Sequence, residues 1–125
     1  MERIGEIITS SVTAVIGSDV PLYYCEAESD TLPYVLYDYR AARQYIKSGP
    51  ELFSGNLQTV VVAETYDTMR RLQESILGAL ESLTLGADNM TCSLMQAEDS
   101  CAEGVWICTL DLAFRASFDV ISDTE

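Results

Sequence analysis

Residues 57–83, LQTVVVAETYDTMRRLQESILGALESL, change their hydrophobic period within one stretch, and that change limits the folds open to the chain. Thr59, Val60, Val61 and Val62 form a β-branched run, the composition of a strand. From residues 65–67 onward the period becomes helical. Met69, Leu72, Ile76, Leu80 and Leu83 recur at spacings of three and four, which puts them on one helical face. Arg70, Arg71, Glu74 and Glu81 fall largely on the other. A strand that runs with almost no loop into an amphipathic helix requires the helix to fold back and cover one face of the sheet containing that strand.

The flanking segments extend this frame. In the first sixteen residues Ile4, Ile7, Ile8, Val12, Val15 and Ile16 suit a helix packed by one face; Gly17 ends it and Pro21 prevents its continuation. Residues 23–31 carry Glu26, Glu28 and Asp30 and read as an exposed loop. Residues 32–39 read as a strand, with Pro33 at a first position where a missing N–H is tolerated. Residues 40–55 hold Arg40, Arg43 and Lys47, then Ser48, Gly49 and Pro50. They read as an extended β-hairpin arm with its turn near residues 48–51. Residues 84–89 are a loop. Residues 90–96 and 105–118 are strands joined by a polar turn at 97–104. The last strand alternates: Trp106, Cys108, Leu110, Leu112, Phe114 and Ala116 lie on one face, and Val105, Ile107, Thr109, Asp111, Ala113 and Arg115 on the other. Its first half is apolar on both faces, so that end is expected to be covered twice.

The expectation is one α+β domain over residues 1–118, with an acidic, frayed tail at 119–125. An antiparallel or mixed sheet of about four to five strands carries two packed helices, in the order α-β-β-(β)-α-β-β.

Charge restricts function. Twenty Asp and Glu face seven Lys and Arg, there is no His, and the formal charge is −13. Such a surface repels phosphate and anionic lipid, which argues against tight DNA binding. Its bland explanation is a self-repelling, solvated surface. The sharper one is an acidic wall that nucleic acid passes without sticking. Without His, Ser–His and Cys–His catalysis are excluded, although Ser–Lys or Thr variants survive formally, and four cysteines with no CxxC spacing do not make a zinc site. Cys25, Cys92, Cys101 and Cys108 are expected as free thiols in a reducing cytoplasm, a Cys92–Cys108 disulfide being the alternative. The acids Glu2 and Glu6 and the lack of a long apolar core argue against a signal peptide or membrane span at the start. There is no glycine-rich phosphate loop and no basic patch interleaved with aromatics. Asp99 and Glu103 flank a turn and could hold a cation, although a solvated turn explains them as well. All tyrosines but Tyr66 lie from Tyr23 to Tyr45, where sheet packing and a contact surface compete as explanations. No metal, no cofactor and no catalytic residue is expected.

The strand LPYVLY at 32–37 after an N-terminal helix, VVVAETYDTMRRLQESILGAL at 60–80, and a closing hairpin ending in ICTLDLAFRAS at 107–117 resemble the tail terminator, or tail completion, proteins of long-tailed bacteriophages. Related head–tail joining proteins are similar. The resemblance runs over roughly residues 4–117. It implies a non-enzymatic virion structural protein, phage- or prophage-borne and assembled in the bacterial host cytoplasm. Such a protein forms a homo-oligomeric ring, commonly of six, on the head-proximal end of the tail. The ring stops polymerisation of the tail tube protein and meets the head–tail connector protein, while DNA passes through its lumen without specific binding and no membrane is involved. Ring closure needs two different patches per subunit. Arg40, Arg43 and Lys47 are the candidate subunit interface, and Glu26, Glu28, Glu98, Asp99 and Glu103 the candidate lumen-facing acids. A second reading, from another class, is an acidic DNA-mimic inhibitor that occupies the basic cleft of a nucleic-acid enzyme. A small hydrolase using a carboxylate pair has the least support.

Overall fold

The computed structural model describes residues 2–17, 19–27, 31–44, 51–82 and 90–118. Its elements run α1 (Glu2–Ile16), β1 (Leu22–Tyr24), β2 (Tyr34–Gln44), β3 (Glu51–Ala63), α2 (Tyr66–Glu81), β4 (Met90–Ala102) and β5 (Val105–Phe118). The strands form one open sheet in the order β1-β2-β3-β5-β4. β1 is parallel to β2 and every other neighbouring pair is antiparallel. This is the α+β arrangement expected from the sequence, with the third strand before α2 supplied by β1, in residues read as a loop, and not by a short strand after β3.

The β3–α2 junction follows from local chemistry. Thr65 has an extended backbone, and its hydroxyl accepts a hydrogen bond from the Thr68 amide at 3.2 Å, capping the first turn. Asp67 in that turn sits where the helix dipole favours an anion. At the other end the Ser82 hydroxyl donates to the Gly78 carbonyl at 2.9 Å. Between these caps Met69, Leu72, Ile76 and Leu80 are all buried. α1 buries Ile4, Ile8, Val12 and Ile16 at a spacing of four. Both helices lie on the same side of the sheet, over Val35, Leu57, Val61, Cys108, Leu110, Leu112 and Phe114. A 3.0 Å hydrogen bond between the Thr9 and Tyr37 hydroxyls ties α1 to β2.

β2 and β3 pair over eleven residues, from Tyr34 opposite Val62 to Gln44 opposite Leu52, and the turn at 45–50 lies outside the described residues. β5 flanks β3 along its whole length. Gly55 sits where the strands crowd, since a Cβ there would overlap the Arg40 carbonyl oxygen.

The hairpin expected over residues 40–55 is present, with β2 running on to Gln44 and pairing antiparallel with β3. Two local expectations need correction. Tyr23 and Tyr24 belong to a strand, because Leu22, Tyr23 and Tyr24 pair with Val35, Leu36 and Tyr37. β4 runs through the residues read as a polar turn and ends at Ala102. The turn is only Glu103 and Gly104, with φ of 53° and 79°. Two successive positive φ values mark the two-residue hairpin turn whose twist matches the strands it joins. A bulge between Leu94 and Gln96 shifts the register of β4 against β5. The tail at 119–125 and the loop at 84–89 lie outside the described residues.

Candidate assembly surface

With both helices on one side, the other side of the sheet is open. Strand alternation and register place its residues in rows. One row is Tyr34, Val62, Ile107 and Ser100; the next is Leu36, Val60, Thr109 and Glu98. Below them lie Asp38, Gln58, Asp111 and Gln96, then Arg40, Asn56, Ala113 and Ser93. The upper rows are apolar over β2, β3 and the start of β5, and among the described residues no element covers them. Val62 is buried, while Leu36, Val60 and Ile107 are half-buried. The lower rows are polar. Gln58 donates to the Asp111 carboxylate at 2.9 Å across β3 and β5. A shallow groove beside the β4 bulge is lined by Ser54, Asn56, Ser93, Met95 and Arg115, and Met95 is 69% exposed.

The sheet has two unlike edges. On one side β1 is three residues long and covers β2 only from Val35 to Tyr37. On the other side lies β4, thirteen residues long and exposed on both faces beyond Leu94. Its outer edge has no partner strand among the described residues. Beyond Leu94 only the β4 strand of the hairpin lies outside the helix layer, since Cys108 and Leu110, opposite Asp99 and Ala97, are fully buried.

The candidate residues divide between these edges. Arg40 is exposed on the open face, opposite Asn56. Arg43 is placed by register opposite Phe53, a core residue, so the strand partners of the two arginines lie on opposite faces. Lys47 lies outside the described residues. Glu98, Asp99 and Glu103 are all exposed on the β4–β5 hairpin. Glu26 follows β1 at the opposite edge, and Glu28 lies outside the described residues. β1 and β4 are four strand spacings apart, about 19 Å, so Glu26 and the hairpin acids do not form one cluster within a subunit.

Asp99 borders a second polar group on the helix side. Burial first, and the Asp99 carboxylate second, push the Cys108 thiol up to about 12. Arg70 donates to the Tyr66 hydroxyl at 3.1 Å, and Tyr66 packs edge-on against Trp106 with ring centres 5.2 Å apart. That hydrogen bond, with Glu74 and Asp99 nearby, holds the Arg70 guanidinium above its ordinary range. The tyrosines serve both packing and surface. Tyr37 and Tyr39 pack under α1, Tyr24 stacks edge-on with both while half of it stays exposed, and Tyr23 meets Tyr34. All four cysteines are free thiols, with Cys25 and Cys101 exposed and Cys92 and Cys108 buried. Among the described residues no three His, Cys, Asp or Glu side chains are grouped to hold a metal ion.

Sequence reasoning missed the β4 edge. Its residues 95–102, MQAEDSCA, show no alternation because both faces meet water. The available signal was Glu103–Gly104, a weaker form of the Asp–Gly pair that favours two-residue hairpins.

No family model matches the chain, and no curated protein matches it. Among solved structures, a chain from the virion of a native gene transfer agent particle aligns over 90% of this chain and 91% of its own, with a TM-score of 0.59 and 16% sequence identity. A second solved chain aligns over 91% of this chain and 96% of its own, at a TM-score of 0.51 and 15% identity. The likeness extends over nearly the whole chain and shows a shared α+β fold.

Proposed function

We propose that the protein is a non-enzymatic structural component of a phage-like virion, a tail terminator that closes a ring on the end of the tail tube, stops its polymerisation and joins tail to head. The observation that carries this reading is the fold likeness to a gene transfer agent virion chain over nine tenths of both chains. The residue patterns at 32–37, 60–80 and 107–117 point the same way. A ring closed by one repeated contact requires two different patches on each subunit. The β1–β2 side and the β4 side of the sheet are two such patches, on opposite edges and of different charge. Arg40, Arg43 and Lys47 supply the basic side of the contact in this account. The net charge of −13 suits a lumen through which DNA slides, because every phosphate contact avoided lowers affinity. Glu26, Glu28, Glu98, Asp99 and Glu103 are the candidate acids, and six subunits the candidate ring.

The test is charge reversal of the basic side. A variant combining Arg40→Glu, Arg43→Glu and Lys47→Glu should keep its circular dichroism spectrum and lose assembly, because like charges would then face each other. Unchanged oligomerisation of that variant would reject the basic contact.

A further inference from the structure

Backbone geometry identifies which groups each sheet edge offers. In the β4–β5 hairpin Ala102 and Val105 flank the two-residue turn and form a hydrogen-bonded pair. Hydrogen-bonded and non-hydrogen-bonded pairs alternate along an antiparallel ladder. Ser100, Glu98 and Gln96 therefore also turn their amides toward β5, and Cys101, Asp99 and Ala97 turn theirs outward. Carried across the sheet, the same alternation assigns Val35 and Tyr37 to the outer side of β2. That agrees with the bonds from the Val35 amide to the Pro21 carbonyl at 3.0 Å and from the Cys25 amide to the Tyr37 carbonyl at 2.9 Å. Ala41 shares that parity and lies beyond the end of β1. Among the described residues the sheet thus ends in two template edges, one along β4 and one on β2 at Ala41, past β1.

We infer that the β4 edge of one copy pairs with the exposed β2 edge of a second copy, joining the two sheets into one. This rests on the ring reading and names the contact that closes the ring. Three observations select this occupant. First, two β4 edges meeting about a two-fold axis would bring Glu98 and Asp99 of each copy against those of the other, whereas the β2 edge carries Arg40. Second, Glu98 and Arg40 lie on the same open face of the sheet, so a continuous sheet puts them on one side of the junction. Third, β2 and β4 run in opposite directions within the sheet, so copies in one orientation meet through an antiparallel pair.

β1 acts as a stop. The furthest register that clears it places Ala102 opposite Asp38, Asp99 opposite Ala41 and Glu98 opposite Ala42, one diagonal step from Arg40. Diagonal neighbours on a sheet remain within reach of long side chains. Because the two edges are different surfaces, the contact is head-to-tail and can close into a ring.

The test removes outward amides without touching the internal ladder. Proline is tolerated on an edge strand where its missing N–H faces solvent. Ala97→Pro and Cys101→Pro should keep the monomer fold by circular dichroism and abolish assembly, while Ala97→Ser, which keeps the N–H, should assemble like the parent. Amide hydrogen exchange on the unaltered protein supplies a second measurement, independent of whether a proline variant folds. In the assembled form the amides of Ala97, Asp99, Cys101 and Ala41 should exchange at least about tenfold more slowly than in the dilute monomer. If the parent assembles but those amides exchange as in the monomer, or if folded proline variants assemble normally, the edge contact is wrong and the ring reading stands. If the parent stays monomeric from micromolar to millimolar concentration, both fall.

Discussion

Truncating Leu72 tests the packing that fixes which face of the sheet is open. Leu72 is 1% exposed, on the α2 face that also buries Met69, Ile76 and Leu80. Leu72→Ala removes three carbon groups, worth about 2.4 kcal/mol at ~0.8 kcal/mol each. The unfilled cavity raises the cost, and buried leucine truncations span roughly 2.7–5 kcal/mol. A loss of about 3 kcal/mol is expected. An unfolding entropy of ~2.1 cal/mol/K per residue gives about 4 °C per kcal/mol for a chain of this size, so the melting temperature should fall by about 12 °C. Urea denaturation measures the difference directly, and the slope with denaturant should stay unchanged, since the folded surface does not grow. Glu74→Ala on the exposed face of the same helix is the control. Its side chain is 65% exposed and lies 3.8 Å from Arg70, a surface pair worth at most about 0.5 kcal/mol. A loss under about 1 kcal/mol for Leu72→Ala would mean that α2 does not cover the sheet with this face, and the assignment of the open surface would fail with it.

Three further outcomes follow from buried groups and charge. Thr59 is fully buried on β3, and its hydroxyl meets no hydrogen-bond partner among the described residues. Thr59→Val keeps the β-branched shape and removes an unpaired polar atom, so stability should rise by about 1 kcal/mol, and a loss would reveal a partner for that hydroxyl. Burial raises the Cys92 thiol to about 11, and burial with Asp99 raises Cys108 to about 12, from an ordinary value of 9.0. Thiol reagents at mildly alkaline pH should label Cys25 and Cys101 quickly and the two buried cysteines only on unfolding. Because the unfolded thiols ionise first, their contribution to stability is full below about pH 9 and is lost as pH rises toward 11 and 12. The parent protein should show no micromolar binding to duplex DNA at moderate salt. If the ring reading holds, neutralising those of the candidate acids Glu26, Glu28, Glu98, Asp99 and Glu103 that face the lumen should let DNA adhere with an affinity that falls as salt rises.

Periodicity made the two helices, the β3–α2 junction and the alternation of β5 legible, because each buries one face only and so writes its contacts into spacing. Ile4, Ile8, Val12 and Ile16 and Met69, Leu72, Ile76 and Leu80 are the clearest cases. The signal failed where burial does not discriminate. Residues 97–102 are exposed on both faces and held by backbone pairing to β5, which side-chain pattern does not record. β1 is too short for a period, and its pairing to β2 is a tertiary event. For the same reason the candidate surface was legible only in part. Charge counting singled out Arg40 and the acids near Glu98, while their separation onto opposite edges of one sheet depends on strand order. The odd spacing of Arg40 and Arg43 already puts them on opposite faces of a strand, and only the register adds their partners, Asn56 and Phe53.

The central claim is that copies of this chain close into a ring, and native mass spectrometry with negative-stain electron microscopy of the same sample, alone and with tail tubes, tests it most directly. The account predicts one closed oligomer of fixed stoichiometry, with rings around a central hole in end view and capping tube ends where tubes are present. A monomer at every concentration and on every tube, or open filaments of varying length, would contradict it.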